Sequence, residues 1–388
     1  MLSAFRSARK SLGRFLFVFL ALFAAACVPA GESSAPRDTR PGAVKVALLV
    51  PGGSGNASDQ ILADSLVNAA RLAAADLSGV TIDLRIYQTG GNPAQARAMA
   101  LQAADEGAEV ILGPVFAQEA NAAGVALAGR GLNVLAFSNN PDIAGGNVFV
   151  LGPTFDNTAR RLSSYAVRNG KTRIMIVHER NTAGELGGSA IQRGVAAAGG
   201  TVVAVSSYEF SQAGVASAAP GIVRTARETG ANALFLTADT AGALPLLSQL
   251  LVENGADRET TKFLGLTRWD VPSQTLGLPG VQGGWFTLPD PNLYAQFQAR
   301  YGAAYGSPPH PIAGLAYDGI AAIGALARQG RGFSTAALTQ GSGFVGVSGI
   351  FRLHSNGTNE RGLAIAEIRN NQVVVIDPAP RSFSGSGF

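Results

Sequence analysis

The sequence predicts an α/β protein built as two similar lobes with a cleft between them. Three observations carry this expectation. Short β-rich runs alternate with helical patterns from Val44 onward, the alternation restarts near residue 151, and the last third of the chain is patterned differently. With 388 residues, 47% of them hydrophobic and 14% charged, the chain has material for two domains of ordinary size.

In the first half, "VKVALLV" (44–50) precedes a helical pattern from Asp59 to Leu77, with Leu62, Leu66, Ala69, Ala70 and Ala73 on one face. The intervening turn, "PGGSGN", leaves Ser58 or Asp59 to cap that helix. "TIDLRIYQT" (81–89), a helix near 93–106, "EVILGP" (109–114), a helix at about 117–130 and "NVLAF" (133–137) follow. Four strands joined by helices imply parallel pairing, since a parallel connection needs a long crossover.

The second half opens on a helix ending at Gly170, with Thr154 or Asp156 as its N-cap. It continues with "RIMIVHE" (173–179), a helix at about 186–199, "TVVAVSSYE" (201–209), a helix at about 214–229, "ALFLTAD" (233–239), a helix at 241–254 and "KFLGL" (262–266). After "GGWFTLP" (283–289) a helical segment runs to the break at "SPPHP", and a helix covers about 312–329. The tail from Gly346 to Asp377 alternates apolar and polar residues around "SNGTN" and "RNNQ", which reads as an antiparallel meander. The lobes are therefore expected at 44–150, with a return segment at about 284–332, and at 151–283, with a C-terminal segment at about 343–378.

Ahead of these units, Arg6, Arg9, Lys10 and Arg14 precede the apolar run Phe15 to Ala26. Twelve residues make about 18 Å of helix, too short for a bilayer core of about 30 Å, so residues 1–27 read as an export signal. Its ending, "AAAC", resembles a bacterial lipobox, which would make Cys27 the lipidated N-terminus and membrane anchor. An ordinary signal-peptidase site is the alternative. Cys27 is the single cysteine, so no disulfide supports the fold. Val28 stands where an inner-membrane lipoprotein tends to carry aspartate, so the expected place is the periplasmic side of the outer membrane. Residues 28–43 read as a flexible tether. The net charge of +4 resides in the four cations of the signal, so nothing points to a nucleic-acid partner.

Chemistry is sparse. No lysine follows Gly55 as a phosphate-cradling loop requires, and Ser58 stands where a dinucleotide motif needs its third glycine. No G-x-S-x-G occurs, and His178, His310 and His354 lie far apart, without metal-ligand spacing. No enzyme activity, cofactor or metal is expected. The loops after the strands remain, where open α/β sheets bind ligands. They offer Ser54 and Asn56 as contacts and Phe116 and Trp269 as apolar walls.

These segments resemble the type-1 periplasmic binding proteins of the leucine/isoleucine/valine-binding branch. "VALLVP", "EVILGPVFAQEA", "NVLAFSNNPDI", "GPTFDNTARRLSSYAVRNGKTRIMIVHE" and "GLAYDGIAAIGALA" carry the resemblance, over about residues 44–378. It implies two Rossmann-like lobes closing on a small polar, amino-acid-like ligand or peptide fragment, with ABC-type transport as the use. It also implies ligand contacts from "GPVFA", where Phe116 and Ala117 replace the usual serine, from Ser138 with the Ala136 backbone, and from Asn181, Thr182 and Asp239. The closing segment from Gly346 to Pro380 is similar to the C-terminal domain of lipoproteins that activate penicillin-binding proteins. That similarity implies an alternative partner, a peptidoglycan synthase.

Overall fold

The computed structural model describes residues 42–383. The export signal, Cys27 and most of the tether lie outside them. β1 (Val44–Val50) is covered on both faces: Val46, Leu48 and Val50 enter one core, Ala47 and Leu49 the other. The turn after it leads into α1 (Ala57–Asp76). The N-cap is Asn56, neither Ser58 nor Asp59: from an extended backbone its side-chain oxygen accepts the Ser58 amide at 2.9 Å.

β2 (Ile82–Gln88), α2 (Pro93–Asp105), β3 (Val110–Leu112), α3 (Ala117–Leu127) and β4 (Val134–Ala136) follow as expected in kind, with shorter strands. A fifth strand, β5 (Val148–Val150), was not expected; three buried residues behind a bend give too short a signal. All five strands are parallel in the order β2-β1-β3-β4-β5.

The chain crosses into the second half through residues 151–154. α4 (Phe155–Arg168) opens on a reciprocal cap in which Thr154 and Asn157 satisfy each other's backbone amides. Then come β6 (Arg173–Glu179), α5 (Thr182–Ala197), β7 (Thr201–Tyr208), α6 (Gln212–Glu228), β8 (Ala233–Leu236), α7 (Leu244–Glu253), β9 (Lys262–Gly265) and β10 (Trp285–Leu288). α5 starts four residues before its expected position. Gly184 and Gly187 read as loop residues, but they let the helix press onto the sheet. A methyl group on Gly184 would lie 2.3 Å from the Glu179 carbonyl oxygen, and one on Gly187 2.7 Å from Leu266.

Two further expectations are corrected. The segment 284–332 does not all return to the first half, because β10 pairs in parallel with β9 and stays in the second sheet. Only after residues 289–290 do α8 (Pro291–Tyr305) and α9 (Gly314–Arg328) join the first core, where Phe297, Ile320 and Ile323 are fully buried. Nor is the tail one meander. After α10 (Thr335–Leu338), the strands β11 (Phe344–Gly346), β12 (Gly349–Leu353) and β13 (Asn359–Arg361) form a small antiparallel sheet whose Phe344, Phe351 and Leu353 enter the first core. β14 (Ala364–Arg369), antiparallel to β10, and β15 (Gln372–Asp377), antiparallel to β14, instead extend the second sheet. Their turn, Asn370–Asn371, is left-handed at both residues, as a two-residue hairpin requires.

The parallel part of the second sheet, β7-β6-β8-β9-β10, thus repeats the order of the first. Three short crossings join the halves, at 151–154, 289–290 and 362–363. Arg361 ties them together: its guanidinium donates twice to the Leu151 carbonyl, at 2.9 and 2.6 Å, and once to Asp318 at 3.0 Å. Asn359 donates to the carbonyls of Val150 and Gly152, and Arg161 to that of Leu363. The first crossing leaves the carboxyl end of β5 and the second that of β10. Because each is at most four residues long, the carboxyl edges of both parallel sheets adjoin the same junction.

Candidate functional site

In each half the strand order reverses between its first and third strands, β1 and β3 or β6 and β8, and loops on either side of such a point diverge to leave a crevice. In the first half the loops after β1, β2 and β3 converge there. Ser54 donates to Asp59 at 2.8 Å and accepts the Asn56 amide at 3.1 Å, so both expected contacts are spent first on organising the turn. Phe116 precedes α3 with 40% of its surface exposed, and Ala117 is the first residue of that helix. Asp59 and Phe116 meet at Gly91, where a methyl group would lie 3.7 Å from each.

On the next strand, Ala136 is fully buried and its carbonyl accepts the Leu151 amide. Ser138 is buried, its hydroxyl accepting the Asn140 amide at 3.1 Å and its carbonyl the Gly152 amide.

In the second half, Asn181 caps α5 by accepting the Gly184 amide at 2.7 Å, and Thr182 follows, exposed. Asp239 is exposed after β8 and accepts the Gly242 amide. Phe210, 59% exposed, reaches the same place: a methyl group on Gly242 would lie 2.8 Å from Asp239 and 3.1 Å from the Phe210 ring.

Trp269 is not a wall of the site. It is fully buried in the second core, where Gly265 and Gly284 admit the indole so closely that a methyl group on either would overlap it. Spacing after a strand cannot reveal that Gly265 and Gly284 have cleared this space.

Sequence reasoning missed the polar groups beneath the loops. Glu119, in the first turn of α3, is fully buried. Burial pushes its carboxyl up, opposed by the nearby Thr89 hydroxyl and Phe116 amide, yet neither makes an aligned hydrogen bond to it. In the second half Glu179 is buried at the end of β6 and accepts the Thr237 hydroxyl at 2.6 Å. The fully buried Tyr208 hydroxyl lies against Glu179 without an aligned partner; burial first, and then the charge of Glu179, raise its pKa.

His178 points its ring at Gly188 of α5, and its Nδ1 bonds the Glu179 carbonyl at 2.9 Å. Among the described residues no group of three or more His, Cys, Asp or Glu could hold a metal ion, and no helix is long and apolar enough to cross a membrane.

A two-half architecture with the same strand order in each, short crossings and loops gathered at their junction is what comparison with known families tests. The family model described as "Periplasmic binding protein" matches residues 43–372. The chain belongs to the periplasmic binding protein family.

Solved structures agree on the fold of this binding protein. A Rhodospirillum rubrum protein assigned to branched-chain amino acid ABC transport superposes with a TM-score of 0.73 at 18% identity, covering 86% of this chain and 100% of that one. An ABC transporter substrate-binding protein from Desulfitobacterium hafniense in complex with Leu gives 0.63 at 17%, covering 86% and 99%. A solute-binding protein of an ABC transporter from R. palustris in complex with benzoate gives 0.58 at 19%, covering 89% and 98%. No curated protein sequence matches. At such identities the likeness is one of fold, and the ligands named belong to those proteins.

Proposed function

We propose that this periplasmic binding protein is a lipid-anchored solute receptor whose two halves close over a small ligand held by the loops at the carboxyl ends of their strands. One observation carries the reading. Of the nine large apolar side chains exposed among the described residues, Ile61, Phe116, Leu186, Phe210 and Val271 lie in these loops or the first two turns of the helices after them, on both halves, while Val125, Val205, Val345 and Val375 lie elsewhere. A surface that keeps large apolar groups in water at one edge of each sheet is suited to cover a ligand there. Cys27 would hold the receptor at the outer membrane, and delivery to an ABC-type importer is the corresponding use. The cell-wall reading rests on the tail and on the outer-membrane type of the export signal; the tail is divided between the two cores, where its buried residues serve packing.

A ligand that binds only the folded protein raises its unfolding midpoint. The receptor reading expects such a rise with at least one compound from a panel of amino acids, muropeptides, aromatic acids and small amines. No rise with any of them, together with capture of a penicillin-binding protein, would instead favour the regulator. Replacing Ser138 by a bulky residue is expected to abolish the response while leaving a folded protein, as circular dichroism would show.

A further inference from the structure

Resting on that reading of the site, we propose that its ligand is an organic cation, an amine or quaternary ammonium compound, received by one aromatic ring and one carboxylate on each half: Phe116 with Asp59, and Phe210 with Asp239. The two pairs are built alike. In each, a glycine between strand and helix, Gly91 or Gly242, brings the carboxylate and the exposed ring within contact of one point. An aromatic face attracts a cation through its quadrupole while a carboxylate neutralises the charge.

The surroundings favour the same sign. Arg180 and Arg268 are the only Lys or Arg residues in the loops after β1, β2, β3, β4, β6, β7, β8 and β9. Each is already paired, Arg180 with Glu209 at 3.0 Å and Arg268 with Asp270. Among the ion pairs of the described residues none involves Asp59, Glu119, Glu179 or Asp239.

Each pair also has a buried polar group beside it that lacks an aligned partner. In the first half it is the Glu119 carboxyl, close enough to Asp59 to feel its charge; in the second it is the Tyr208 hydroxyl, beside Glu179 and Asp239. The amino end of α3, otherwise suited to an anion, has the Asp59 carboxylate near it, which would oppose an arriving carboxylate.

Calorimetric titration of the protein with choline, cadaverine, leucine, benzoate and glucose tests this. Choline or cadaverine is expected to bind more tightly than the other three. Phe210→Ala and Asp239→Asn are each expected to weaken that binding about tenfold, with the ligand-free unfolding midpoint unchanged as the control for folding. Tighter binding of leucine, benzoate or glucose would overturn the cation assignment and leave the receptor reading standing. Binding of choline that survives both substitutions would overturn the placement. Silence from all five probes would overturn the assignment and count against the receptor reading as well.

Discussion

Asn56 and Trp269 show how a residue's type and its place can point in different directions. Asn56 stands in a glycine-rich turn and reads as a ligand contact, yet its side chain caps α1. Asn56→Ala is expected to cost about 1 kcal/mol, visible as a lowered urea midpoint. Trp269 fills the second core, so Trp269→Ala is expected to cost about 3–5 kcal/mol, far more than a wall residue would.

Titration at single residues gives a further test. The Tyr87 hydroxyl donates to Glu106 at 3.0 Å, and burial, then that bond, pushes its pKa up to about 12. Above the unfolded value near 10 the unfolded chain releases a proton that the folded one keeps, so stability falls as pH rises from about 10 towards 12. Tyr87→Phe should flatten the part of the alkaline loss that comes from this residue. Burial lowers the pKa of His310, so between the unfolded value near 6.5 and the folded one the opposite holds, and stability falls as pH falls.

At the scale of elements, most of the alternation was legible because strands buried on both faces make unbroken apolar runs. "VKVALLV" and "RIMIVHE" coincide with β1 and β6 residue for residue. The failures have physical causes. β5 is three residues long and has no room for a pattern. α5 hides its first turns behind glycines that close packing requires. Gly184→Ala is therefore expected to destabilise the protein, its methyl being driven into the Glu179 carbonyl. Gly302→Ala, in α8 with nothing within 4 Å, is expected to stabilise it by about 1 kcal/mol. Thermal unfolding of the two variants side by side would show opposite shifts.

Across the whole molecule, the sequence made two α/β halves visible but not how the tail divides between them. Alternation identifies a strand without naming its partner, and β12 and β14 differ only in which core their apolar faces enter. The candidate site was legible as a set of loops: Phe116 was expected from the loop after β3, and Asp239 from the family resemblance. Phe210, Glu119 and Tyr208 were not, because their meaning comes from neighbours distant in sequence. The junction itself depends on Arg361 and Asp318, both almost wholly buried and 3.0 Å apart. Arg361→Ala leaves Asp318 without its charge partner and is expected to cost about 3–5 kcal/mol in denaturant unfolding.

The claim that joins these scales is that one ligand sits against the loops of both halves at once. Hydrogen exchange tests it most directly, measured with and without whichever panel compound raises the unfolding midpoint most. A ligand held by both halves is expected to slow exchange in peptides covering 51–59, 89–92 and 113–119 of the first half and 180–186, 209–212 and 237–243 of the second. Protection confined to one half, or to the surface lined by Arg161, Tyr165, Asp377 and Pro380, would contradict it.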